Sequence, residues 1–159
     1  MVPLLRKSLR VGYAIHDFDE RGVPKNVDAT WRKKETRYWI GVAVRNAKHN
    51  KSTIISGLTT PNEVRQARKG RSLGVRICLL DVNRNVMRKR LLKRFQTPAR
   101  IRNLKAVTGL TVAECIRDNL AHARVLRKEC RKYHVKFFNT SKTTAEKTAD
   151  KLMQWITKS

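Results

Sequence analysis

Short apolar runs alternate along this chain with longer stretches of helical periodicity. Four runs read as strands: Gly12-Tyr13-Ala14-Ile15-His16, Ser52 to Gly57 (STIISG), Val75 to Asp81 (VRICLLD) and Val135 to Asn139 (VKFFN). The second and third are continuous apolar runs, not strict alternations, which is the pattern of parallel strands covered on both faces. Helix starts are legible between them. Thr60-Pro61-Asn62-Glu63, Thr111-Val112-Ala113-Glu114 and Thr143-Thr144-Ala145-Glu146 each match T-x-x-E, in which the hydroxyl and the carboxylate satisfy backbone N–H groups of the first turn. Apolar stripes accompany the helices: Trp31, Trp39, Val42, Ala43 and Ala47 between about Asp28 and Lys48; Ile116, Leu120, Ala123 and Cys130 after Thr111; Ala145, Ala149, Leu152, Met153 and Ile156 at the end. This alternation predicts an α/β fold, a parallel sheet with helices on both faces in three layers, formed by one domain over residues 1–159.

In such sheets ligands bind beyond the carboxyl ends of the strands. The residues to inspect are therefore Asp17, Asp19 and Glu20, then Gly57 to Pro61, Asp81 to Asn83, and Asn139 to Ser141. Asp17-Phe18-Asp19-Glu20 concentrates three of the chain's 12 acids in four positions. A strand there puts Asp17 and Asp19 on one side, where they can face Mg²⁺ or take a proton from an acceptor hydroxyl. The same residues also suit a solvated strand-to-loop turn.

Charge changes the picture more than composition does. The 159 residues include 37 Lys and Arg against 12 Asp and Glu, a formal charge of +25, while 40% hydrophobic residues suffice for a core. Polyanions are the default partners: nucleic acid, a phosphate-bearing small molecule or an anionic membrane surface. The excess is uneven, with +13 of it between residues 51 and 113. From Val82 to Ala113 there are nine cations and no acid. The helical part, Asn83 to Phe95, turns Met87, Leu91 and Phe95 inward and can project Arg90 and Arg94 toward the strand ends. Gln96 to Leu110, with Pro98 and Gly109 and no apolar periodicity, reads as a basic loop, a lid-like segment around 96–110 that folds arginines over phosphates. For any single arginine the plainer reading is a solvated basic face.

Other classes fall away. Apolar runs such as Ile77-Cys78-Leu79-Leu80 are far short of the ~20 residues needed to span a bilayer, and Val2-Pro3-Leu4-Leu5 is too short for a signal-peptide core. The expectation is a soluble, cytoplasmic protein without membrane contact. Cys78, Cys115 and Cys130 are odd in number and lack CxxC spacing; the histidines form no HExxH pair, and Cys130 with His134 lacks two further ligands. Free thiols and no metal site are predicted.

The segments IHDFDERGVP, WRKKETRYW, STIISGLTTPNEV, VRICLLDVNRNVMRKRLLKRF and VKFFNTSKTTAEKTADKLMQWI resemble, in that order, successive pieces of a P-loop kinase of the nucleotide, shikimate and polynucleotide kinase type. The family's G-x-x-x-x-G-K-[ST] loop, which holds ATP phosphates and Mg²⁺, has no counterpart. Asn50-Lys51-Ser52-Thr53 lacks the glycines and runs into a strand. Met1 to Arg10 looks like the helix that follows that loop, so the resemblance implies a sheet without its first central strand, with Met1 an internal methionine of a longer frame or the chain a truncated relic.

By the same resemblance Asp17 and Asp19 match the D-x-D element that positions or deprotonates the phosphate acceptor. Gly57 lies near the acceptor pocket, and Arg90 and Arg94, with Arg100 and Arg102, stabilise the transferred phosphoryl group. Asn139, Thr140 and Ser141 run beside the adenine. The implied function is ATP-dependent phosphotransfer to an unidentified acceptor, with ATP and Mg²⁺ serving only a form that carries the phosphate loop; the chain as written should not turn over ATP. The alternative is a basic nucleic-acid-binding protein, or a polynucleotide-kinase-like protein acting on RNA or DNA ends. The residues say nothing of oligomeric state.

Overall fold

The computed structural model describes residues 1–9, 11–24, 27–69 and 72–158. They group into two compact units, Met1–Arg76 with Thr143–Ser159, and Ile77–Lys142.

The first unit contains α1 (Val2–Ser8), β1 (Tyr13–Asp17), α2 (Ala29–Ala47), β2 (Ser52–Ser56), α3 (Pro61–Ala67) and, from the end of the chain, the last helix, Ala145–Thr157. β1 and β2 pair in parallel with Ile15 opposite Ile54. The expected first helix is present as α1, with Pro3 in its first turn; Arg10, which that expectation included, lies outside the described residues. α1 packs on β1 and on the last helix. Arg6 ties it to the strand, donating from Nε and Nη2 to the Ile15 carbonyl at 2.9 and 2.7 Å. The core gathers Val2, Leu5, Ile15, Phe18, Trp39, Ile40, Val64, Ala149 and Leu152. Phe18 is its most enclosed large side chain, edge-on to Trp31, and its carbonyl accepts from Trp39 Nε1 at 3.1 Å.

The second unit runs through β3 (Cys78–Asp81), α4 (Arg84–Arg94), α5 (Pro98–Thr108), α6 (Val112–Lys132) and β4 (Lys136–Asn139). β3 and β4 pair in parallel, Cys78 opposite Lys136 and Asp81 opposite Asn139. α4 packs on α6, which buries Cys115, Ile116 and Cys130. The last helix of the first unit is α7.

The predicted three-layer parallel sheet is not formed, and the fold class is corrected accordingly. Among the described residues the strands are four or five residues long and pair only two by two, as β1–β2 and β3–β4, in a helix-rich chain. The apolar runs taken as covered on both faces keep partly exposed side chains: Ile54, Ile55 and Leu79 are intermediate, and Leu80 is 36% exposed. A continuous apolar run marks a buried strand only when layers exist to bury it.

Helix boundaries follow local chemistry more faithfully. Both halves of the capping box form at Thr60/Glu63 and at Thr111/Glu114. At the third expected box the cap moves one residue on, and Thr144 accepts from Lys147 N–H. Gln96 to Leu110 is not a loop. Thr97 caps α5, Pro98 occupies its first turn, and Gly109 at φ 72° closes it in the left-handed region that glycine adopts without cost. The buried face of α2 is Glu35, Thr36, Trp39 and Ile40, while Trp31, Val42 and Ala43 are half-buried and Ala47 is exposed.

Candidate functional site

At the carboxyl end of β1 the strand stops at Asp17 and the chain turns. Asp17 Oδ1 accepts from Asp19 N–H at 3.0 Å, and Glu20 N–H and Gly22 N–H close the turn on the carbonyls of Asp17 and Asp19. Asp17 and Asp19 are thus neighbours across a turn, both exposed, with Phe18 buried between them. Partial burial, reinforced by the Asp17 charge, raises the Asp19 pKa above the usual aspartate value. That is the direction in which a carboxylate gains affinity for a proton.

Glu20 gathers the polar groups of this corner. Its carboxylate meets His16 Nδ1 at 2.5 Å, Arg6 Nη2 at 3.0 Å and Asp17 N–H at 3.0 Å. Partial desolvation opposes ionisation there, but these bonds outweigh it and hold the Glu20 pKa below the ordinary value. His16 also lies against Trp39, ring centroids 4.7 Å apart.

Gly57, at the end of β2, is placed by packing. A Cβ there would overlap Phe18 Cβ outright and stand 3.1 Å from its Cγ and 3.3 Å from its Cα. Beyond Gly57 lies a buried polar seam. Thr36 and Thr59 share a hydroxyl hydrogen bond of 3.0 Å, Arg32 pairs with Glu63 at 3.2 Å, and Arg21 reaches Glu35 at 3.2 Å while its guanidinium sits 3.6 Å above the Tyr38 ring. Each buried acid therefore has a cation, which offsets its desolvation.

The other predicted residues fall in the second unit. At the carboxyl ends of β3 and β4, Thr140 donates through N–H and Oγ1 to the Asp81 carbonyl at 2.7 and 2.9 Å. Arg90 crosses from α4 to the Thr140 carbonyl at 2.7 Å and to its Oγ1 at 3.3 Å, so the structure brings these two together. Asn139 Oδ1 accepts from Ser141 N–H at 2.9 Å, and Ser141 Oγ accepts from Asn83 N–H, also at 2.9 Å. Asn83 in turn caps α4 through Val86 N–H. Arg127 completes the corner, with Nε 2.6 Å from Asp81 Oδ1 and Nη2 on the Val82 carbonyl. Periodicity gives no sign of Arg127. The available hint is Asp81 itself, an isolated acid at a strand end that calls for a cation.

Mg-ATP does not fit this corner. The Asn139, Thr140 and Ser141 side chains already carry internal bonds, Arg90 is spent on Thr140, and the sequence offers no phosphate loop. Among the described residues no group of three or more His, Cys, Asp or Glu is placed to hold a metal ion, and no helix is long and apolar enough to cross a membrane.

Arg94, Arg100 and Arg102 belong to a different arrangement. α4 and α5 are joined by Phe95 to Thr97, and neither helix buries a single residue. Arg100 Nη1 donates to the Arg94 carbonyl at 3.1 Å, which pins the start of α5 to the end of α4. All nine cations of the two helices are exposed, and no acid lies among them. What the pair presents is a positive surface with no acid of its own. Comparison with known proteins adds no name to it: no family model, no curated protein and no solved structure matches this chain.

Proposed function

We propose that the protein binds nucleic acid through the α4–α5 surface. One observation carries the reading: nine cations on two consecutive helices with no acid between Val82 and Ala113 and no buried residue in either helix. Lysines and arginines on a core-forming helix are normally offset by acids on the same face. Here neither helix carries an acid of its own, and a polyanion would relieve the mutual repulsion of the cations. Phosphodiester backbones supply such charge at close, regular spacing. Binding without turnover is the reading, because phosphoryl transfer would need the phosphate loop that the sequence lacks.

Fluorescence anisotropy with a labelled oligonucleotide across a KCl series is the test. If about five of the cations meet phosphates, log K falls with log[salt] at a slope of about −4, and neutralising Arg88, Lys89 and Lys93 to Gln makes it shallower by roughly one per lost contact. No binding at low salt, or binding indifferent to salt, overturns the proposal.

A further inference from the structure

Building on that reading, we infer that the nucleic acid is double-helical: the α4–α5 surface engages the paired backbones of a duplex in preference to a single strand. Proteins that hold single strands combine a basic groove with aromatic rings on which bases stack. Between Val82 and Ala113 the single aromatic is Phe95, which is half-buried at the end of α4. No ring is offered to an unpaired base on this surface.

What it offers is charge at fixed spacing. Two i,i+4 pairs of α4 are available to a partner, Arg84 with Arg88 and Lys89 with Lys93, each pair separated along the helix by ~6 Å of rise. The helix carrying them is held in place. Asn83 caps its start, Arg90 anchors it to Thr140, and it packs on α6. Rows of charge on a rigid rod match a partner whose phosphates are equally fixed. A flexible strand would have to be ordered to meet them, and without stacking it recovers little of that entropic cost. The helix therefore lies along or within a groove of the duplex, with the pairs reaching phosphates on either side.

The experiment measures affinity by anisotropy for a DNA duplex and an RNA duplex, each against an unstructured single strand of the same sugar and length, at matched salt. At least one duplex should bind about tenfold or more tightly than its single strand, with the steeper salt slope expected of duplex charge density. The double variant Arg84→Gln/Arg88→Gln should lose more affinity for that duplex than for the single strand. Single strands bound as tightly as both duplexes overturn the preference while leaving nucleic-acid binding standing. No binding to any probe at low salt overturns the underlying reading instead.

Discussion

Replacing Gly57 with alanine tests whether the turn after β1 is seated on β2 as described. The added methyl would coincide with Phe18 Cβ and lie 3.1 Å from Cγ and 3.3 Å from Cα, where carbon atoms normally stand about 3.5–4.0 Å apart. Phe18 has nowhere to go. It is 1% exposed, its N–H donates to the Ser56 carbonyl at 2.9 Å and its own carbonyl accepts from Trp39 Nε1. The overlap falls on atoms next to the backbone and not on a flexible tip, so the cost sits toward the upper end of the overpacking range, about 3 kcal/mol. For a chain of this size that lowers the melting temperature by about 6–12 °C. Circular dichroism melts of parent and variant provide the measurement, with Gly74→Ala as the control. Gly74 has nothing within 4 Å of its would-be Cβ, and its substitution should change stability by less than about 0.5 kcal/mol. Gly57→Ala melting within about 2 °C of the parent, a shift worth less than 1 kcal/mol, would refute the close approach of Gly57 and Phe18.

Three further perturbations address other parts of the molecule. Arg127→Gln removes the ion pair to Asp81, whose partners are 20% and 28% exposed, and a bond to the Val82 carbonyl; urea unfolding should show a loss of about 1.5 kcal/mol, the low end for bonds to charged groups because solvent reaches both side chains. Glu20 is held below its usual pKa despite partial desolvation, through His16, Asp17 N–H and Arg6. Its stabilisation is therefore present above the ordinary carboxyl pKa of about 4.3 and is lost as pH falls through the lowered value. Glu20→Gln should be less stable than the parent at neutral pH and converge on it in acid, and a constant difference across pH contradicts the network. Thr111→Ala removes one side of the capping box on α6, with an expected cost of about 1 kcal/mol in the same unfolding assay.

Local chemistry was the legible part of the fold. All four strands lie where the apolar runs put them, β1 shifted one residue on and the other three shortened, and two of three T-x-x-E sites form the box they advertise. α5 reads as a loop by periodicity although its end signals are present: Thr97 before Pro98 to start it and Gly109 to end it. Its weak apolar periodicity hid it, since Ile101 and Val107 are 43% and 58% exposed and so mark no core face. Pairing was less legible, because strand patterns say what a strand can be covered by, not which strands meet. The buried face of α2 was displaced for a related reason. Glu35 and Thr36 lie inside because Arg21, Thr59 and the Arg32 carbonyl partner them, and those contacts come from distant segments or from the preceding turn.

The candidate residues divided along the same line. Arg90 and Thr140 were both singled out, and the structure joins them to each other. Arg94, Arg100 and Arg102 stand on the basic helices, and Asp17, Asp19 and Gly57 shape the corner after β1 and β2. Glu20 is marked by its position; its His16 partner comes from β1 itself, four residues earlier, and its Arg6 partner depends on how α1 returns to β1.

The first unit is discontinuous in sequence: residues 1–76 are completed by α7, which packs on α1, and the second unit is contained between them. On a ribosome this fixes an order of events. The second unit has all its parts once β4 has emerged, although its ladder must close from Cys78 across three helices to Lys136, a slow kind of contact. The first unit begins to emerge earlier yet must wait longer, holding α1 without its contact to α7 until that helix arrives. α1 is thus synthesised well before the helix that packs on it, and for that interval its apolar face is exposed to chaperones and to misassociation.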